Sequence, residues 1–159
     1  MVNLEKYGIV AEKGRKYENI LYVLALIHNI LEKELSAYFL KHKMTVSQYN
    51  ILMAVAFQNE GKGLNQVEIG QHLISTPGNI TKQVDILYRT GWVSRTQNPK
   101  NRRENIIKIT SKGRDIIEEL WPQYDVLAQE LISFIPKRHQ EQLAEILQNW
   151  FVSLSEHRK

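Results

Sequence analysis

Between Thr76 and Lys112 the chain gathers the side chains best suited to holding a polyanion. On a helical wheel from Pro77 to Thr90, Ile80, Val84 and Leu87 fall on one side and read as a core face, with Gly78, Lys82, Asp85 and Arg89 opposite. The first turn offers Thr76, Gly78, Asn79, Thr81 and Lys82. Small groups there permit close approach, while hydroxyl, amide and ammonium groups can bond phosphates or base edges in a major groove. Further on, Gln97 to Glu104 reads as a polar turn around Pro99, carrying Lys100, Arg102 and Arg103 against the single acid Glu104. A tip this basic has no packing reason to exist, and an arginine there can enter a narrow minor groove, where negative potential is focused. Two adjoining elements suited to one ligand point to DNA more strongly than either alone.

The charge is distributed accordingly. The 159 residues carry a net +4, but the segment 82–114 holds nine Lys and Arg against Asp85 and Glu104, a local +7. Residues 1–81 come to +1 and residues 115–159 to −4. A basic patch flanked by neutral and acidic segments fits a phosphate-binding surface on an otherwise solubilised protein.

These residues need a scaffold, and the periodicities supply one. Tyr17, Leu21, Leu24, His28, Leu31, Leu35, Tyr38 and His42 recur at spacings of four and three, which predicts a long helix from about Tyr17 to Lys41, its stripe widened by Ile20, Ile27 and Phe39. Thr45-Val-Ser-Gln48 and Asn65-Gln-Val-Glu68 have the form of capping boxes and predict two helices, to about Gln58 and Leu73, separated by a turn over Asn59 to Gly63. Thr76 is placed to cap the next helix, with Pro77 at its first position and Gly91 just past its end. Two short helices joined by a tight turn read as a helix-turn-helix. Alternation then predicts strands at Trp92–Thr96 and Asn105–Ile109, a hairpin wing. Thr110 caps a long helix from Ser111 to about Phe134, which Pro122 should bend or deprive of a hydrogen bond. After Ile135-Pro136 a last helix carries Leu143, Ile146, Leu147, Trp150, Phe151 and Leu154 on one face. The expected fold class is mainly α with a small β-hairpin wing, organised as one domain over 1–159.

Several segments also carry a family pattern. Leu64-x-x-x-Glu68-Ile69-Gly70-x-x-Leu73, Ile80-Thr81-Lys82-x-Val84-Asp85-x-Leu87, Gly91-Trp92-Val93-x-Arg95, Asn98-Pro99-x-Asn101-Arg102-Arg103 and Ile109-Thr110-x-x-Gly113 resemble the multiple antibiotic resistance regulator (MarR) family over residues 45–113. The resemblance implies a winged helix-turn-helix at 45–113 between dimerisation helices at 15–42 and 115–155. It also implies a homodimeric transcriptional regulator, a repressor released by a small aromatic or anionic effector, with two heads on successive major grooves of a pseudo-palindromic operator. By position, the groove helix would supply Thr76, Asn79, Thr81 and Lys82, and the wing Arg103, with Arg102 at a more variable place; Gly78, Arg89 and Lys100 join the candidate DNA contacts from the residues themselves. Tyr22, His28, Tyr38, Tyr49 and Trp121 could line an effector pocket. One departure stands out: Asn98 and Asn101 occupy places where the family usually has aspartates. Asn101 is expected to brace Arg103 less firmly, while the lost charge favours phosphate attraction.

Other classes find little support in the residues. The chain has no cysteine, which removes disulfides, thiolate zinc sites and iron–sulfur clusters. His28 with Glu32, or His42, gives no dense ligand spacing, so neither metal nor cofactor is expected. No nucleophile elbow, phosphate loop or His-Glu-x-x-His motif suggests an enzyme. No apolar run is long enough for a bilayer and the N-terminus lacks a signal-peptide core, which makes a cytoplasmic protein without membrane partner the expectation. The competing reading is a winged helix used for protein contacts alone, which would not need a basic wing tip.

Overall fold

A computed structural model describes Tyr7 and residues 16–73, 77–99 and 101–157, and for Lys16, His72, Pro77 and Arg102 the backbone only. Among the described residues six α-helices and one hairpin follow in the order α1 (Lys16–Lys41), α2 (Val46–Phe57), α3 (Gln66–His72), α4 (Pro77–Arg89), β1 (Val93–Asn98), β2 (Asn101–Ile109), α5 (Ser111–Ser133) and α6 (Lys137–Glu156), with a 3-10 turn at Gln58–Gly61 after α2. The chain divides into two compact units, 1–117 and 118–159, with α5 beginning in the first and continuing in the second. No helix of the described residues is long and apolar enough to cross a membrane.

In the first unit both capping boxes form. Thr45 Oγ1 accepts from the Gln48 amide at 3.2 Å, and Gln48 Oε1 accepts from the Thr45 amide at 2.9 Å. Asn65 and Glu68 make the same reciprocal pair at 2.9 and 2.7 Å. Each box satisfies two amides that a helix start leaves without an internal partner, which is why these helices begin where they do. Between them, Asn59, Glu60 and Gly61 all have positive φ, and Asn59 Nδ2 donates to the Gly63 carbonyl at 3.1 Å to close the turn. α4 ends in a Schellman arrangement: Gly91 has φ +76°, its amide donates to the Tyr88 carbonyl and the Trp92 amide to the Leu87 carbonyl, both at 3.0 Å.

Phe39 and Met44, Ile51, Leu52 and Val55 of α2, Ile69 of α3, Val84 and Leu87 of α4, and Val93 and Ile107 of the hairpin are fully buried together with their neighbours Leu64 and Ile80. Burial of each such side chain stabilises by about 1.5–3 kcal/mol, so this core fixes the helix-turn-helix and the wing as one body. The hairpin is further pinned by a short bridge in which Leu64 and Ile107 exchange amide–carbonyl bonds of 3.0 and 2.8 Å.

The hairpin differs from expectation at its tip. β1 runs on to Asn98 and β2 starts at Asn101, so most of the expected eight-residue turn is strand. Pairing is regular from Val93↔Ile109 to Gln97↔Asn105 and then jumps to Asn98↔Asn101, which leaves Arg102, Arg103 and Glu104 as a bulge. Polarity concealed the strands because neither face of this tip carries apolar side chains, so alternation gives no signal there.

Candidate nucleic-acid interface

α4 presents Gly78, Asn79, Thr81, Lys82 and Arg89 to solvent, with Ile80, Val84 and Leu87 buried behind them. The polar side chains near its start are oriented by neighbours. Buried Gln48 donates from Nε2 to Gln83 Oε1 at 3.0 Å, and Gln83 Nε2 donates to Asn79 Oδ1 at 3.3 Å. Thr81 Oγ1 donates to Gln66 Oε1 at 3.0 Å, tying the start of α4 to the start of α3. Thr76 and Lys100 lie outside the described residues, as does the side chain of Arg102.

Arg103 is exposed within the hairpin bulge. Asn101 Oδ1 accepts from the Arg103 backbone amide at 3.1 Å, so position 101 does brace the arginine, through the main chain. The Asn101 amide nitrogen in turn donates to Glu104 Oε1 at 2.8 Å. At the other end of the hairpin, Arg95 of β1 forms an ion pair with Asp85 of α4 and lies over the Tyr88 ring, 5.1 Å from its centroid. That contact joins the wing to the groove helix. Both carboxylates of the basic segment are therefore engaged inside the unit, Asp85 with Arg95 and Glu104 with amides, while Lys82, Arg89, Arg103, Lys108, Lys112 and Arg114 remain exposed. The resulting surface is a cationic one, rich in hydrogen-bond donors of the kind that bond phosphates and base edges.

Sequence reasoning did not single out Gln48, Gln83 and Glu104 as parts of this site. Gln48 was visible only as half of a capping box, and Glu104 only as the one acid in a basic turn.

Of the five side chains considered for an effector pocket, four belong to the first unit and Trp121 to the second. Tyr38 and Tyr49 are buried, and both rings pack on Phe39, with centroids 5.0 and 4.4 Å away. Tyr22 and His28 are exposed on α1, and Trp121 lies in the second unit, 5.8 Å from Tyr124. A separate apolar groove of about 480 Å³ runs along α1, lined by Tyr7, Val23, Leu26, Ile27, Asn29, Ile30 and Lys33. Among the described residues no group of three or more His, Asp or Glu is arranged to hold a metal ion.

Comparison with known proteins places this geometry. Residues 44–105 match the MarR family. The transcriptional regulator PapX of Escherichia coli is 30% identical over 117 residues, 73% of this chain and 71% of PapX. Against some other curated regulators the chain spans only 52–61% of their length. Among solved structures, the transcriptional regulator BldR from Sulfolobus solfataricus superposes with a TM-score of 0.79 at 25% identity, over 90% of this chain and 99% of BldR. A MarR variant from Escherichia coli complexed with operator DNA superposes with a TM-score of 0.75 at 21% identity, over 87% and 98%.

Proposed function

Because the chain belongs to the MarR family, we propose that it is a sequence-specific DNA-binding transcriptional regulator of the cytoplasm, a homodimeric repressor released by a small effector. The observation that carries the reading is the union of two cationic elements in one body: the exposed face of α4 and the basic bulge of the wing, joined by Arg95 and Asp85. Gly78, Asn79, Thr81, Lys82 and Arg89 would meet a major groove, with Thr76 at the helix start. Arg103, with Arg102 and Lys100, would reach the adjacent minor groove.

Dimerisation is supported by what the helices leave uncovered. α6 has no buried residue, and Ile146, Leu147, Phe151 and Leu154 are 40–61% exposed along it. Tyr17, Ile20, Leu21, Ile27 and Ile30 of α1 are also exposed. Apolar stripes of this length on a protein with a charged surface call for a partner, and a second copy supplies both. Two heads about 34 Å apart would engage successive major grooves of a pseudo-palindromic operator. An aromatic or anionic effector taken up beside α1, where Tyr22 and His28 offer a phenol and an imidazole, would change that spacing.

Selection of bound sequences from random duplexes, followed by titration of the winning duplex at several salt concentrations, tests this. Arg103→Ala is expected to weaken binding and to reduce the salt slope by about one phosphate equivalent. Recovery of no sequence above the random pool would instead favour a winged helix that serves protein contacts, and an R103A protein with unchanged affinity and slope would overturn the wing assignment.

A further inference from the structure

We propose that Glu104 is the positioning residue of the wing, a carboxylate that gathers the amides of Asn65, Asn98 and Asn101 and so fixes the bulge that carries Arg103. This rests on the reading of the hairpin as a DNA wing. The three asparagines come from separate places: Asn65 caps α3, Asn98 ends β1 and Asn101 opens β2. Their side-chain nitrogens converge on one group. Glu104 Oε1 accepts from Asn101 at 2.8 Å, and Oε2 accepts from Asn98 at 3.4 Å and from Asn65 at 3.5 Å.

An acid beside a phosphate-binding arginine is at first sight misplaced, because it repels the ligand. The bulge explains it. Residues 102–104 lie between the Gln97↔Asn105 and Asn98↔Asn101 pairings and so lack a ladder to hold them. A carboxylate can accept several hydrogen bonds at once, and bonds to a charged acceptor are stronger than those between neutral groups. Glu104 therefore replaces the missing ladder with three side-chain donors. The Arg103 amide is one step away, since it donates to the Oδ1 of the same Asn101 whose Nδ2 donates to Glu104. The tether also reaches the groove helix: Asn65 begins α3, and its neighbour Gln66 accepts from Thr81 of α4.

The same geometry accounts for asparagine at 101. An aspartate there would place a second carboxylate within hydrogen-bond distance of Glu104, and two like charges so close repel. Carboxylate at 104 and amide at 101 are thus the two halves of one donor–acceptor pair, and they should be exchangeable. In Glu104→Gln combined with Asn101→Asp, the new glutamine amide donates to the new aspartate, which still accepts from the Arg103 amide, and net charge is unchanged.

Hydrogen exchange at residues 101–104 of the free full-length protein, together with affinity for the selected duplex, decides the matter. In Glu104→Gln the Arg103 amide is expected to exchange faster and DNA binding to weaken, each on the order of tenfold, although loss of a negative charge alone would tighten binding. The double variant is expected to recover most of both. Unchanged exchange in E104Q, tighter DNA binding in E104Q, or a double variant no better than the single one would each overturn the proposal. If the wild-type protein binds no DNA, the function proposed above fails, and the exchange comparison still decides for or against the tether.

Discussion

Asn79 and Lys82 stand one helical turn apart on the exposed face of α4, with Thr81 between them turned toward Gln66. Asn79 is not left to find its own rotamer, since the Gln48–Gln83 relay reaches it from the core. An amide held this way is suited to a base edge, where a good side-chain contact contributes about 1–3 kcal/mol, and the exposed Lys82 ammonium beside it can add a base or phosphate contact. The double substitution Asn79→Ala, Lys82→Ala is therefore expected to weaken binding to the selected duplex by about 2 kcal/mol, roughly thirtyfold, with thermal stability close to that of the unaltered protein. Titration by fluorescence anisotropy measures it, and wild-type affinity in the double variant would contradict the assigned face. That face was legible because a period of 3.6 sorts Ile80, Val84 and Leu87 from the polar positions. The relay was not, because Gln48 and Gln83 are 35 residues apart and no local pattern links them.

Among the elements, the join between the hairpin and α5 is the most tightly specified. Thr110 Oγ1 accepts from the Gly113 amide at 3.0 Å and lies 2.7 Å from the Gly91 carbonyl, to which it donates. The Thr110 amide donates to the Trp92 carbonyl at 3.1 Å. Buried Gly113 lets the first turn of α5 approach so closely that a Cβ there would stand 2.1 Å from the Trp92 carbonyl oxygen and 3.0 Å from Ile109 Cγ1. Backbone must move to admit even one methyl group. Gly113→Ala is expected to destabilise the fold by about 2 kcal/mol and to lower the melting temperature by roughly 4–8 °C. Calorimetry gives the value, and an unshifted transition would show that the helix and hairpin do not meet this closely. The Thr-x-x-Gly spacing was visible in the sequence as a motif; the contact that demands glycine was visible only in the structure.

At the scale of the whole molecule, the outstanding feature is the apolar surface that one chain leaves in water. α6 alternates its apolar residues at helical spacing yet buries none of them. Trp150 lies on that stripe with Leu147, Phe151 and Leu154 as neighbours. If a second copy covers the stripe, a charge at its centre opposes assembly, because an unpaired carboxylate would be taken out of water. Trp150→Glu is expected to sediment as a monomer at concentrations where the unaltered protein is a dimer, with its helical circular dichroism retained. A dimer that survives the substitution would place the interface elsewhere.

What the sequence determined by itself was everything governed by short-range periodicity and chain stereochemistry. Helix starts at Thr45 and Asn65, the helix end before Gly91, the buried face of α4 and the basic character of the wing all depend on residues a few positions apart. The tertiary structure alone decided what depends on folding distant segments together: Arg95 on Asp85, Gln48 on Gln83, and Glu104 among three asparagines. The eight-residue tip read from polarity is largely strand with a bulge at 102–104, since a polar hairpin end has no apolar face to impose alternation. Asn101, expected to hold Arg103 loosely, holds its backbone instead, and the negative charge expected at 101 stands at Glu104. A side chain's type states which bonds it can make, but only the fold decides which partner comes within reach.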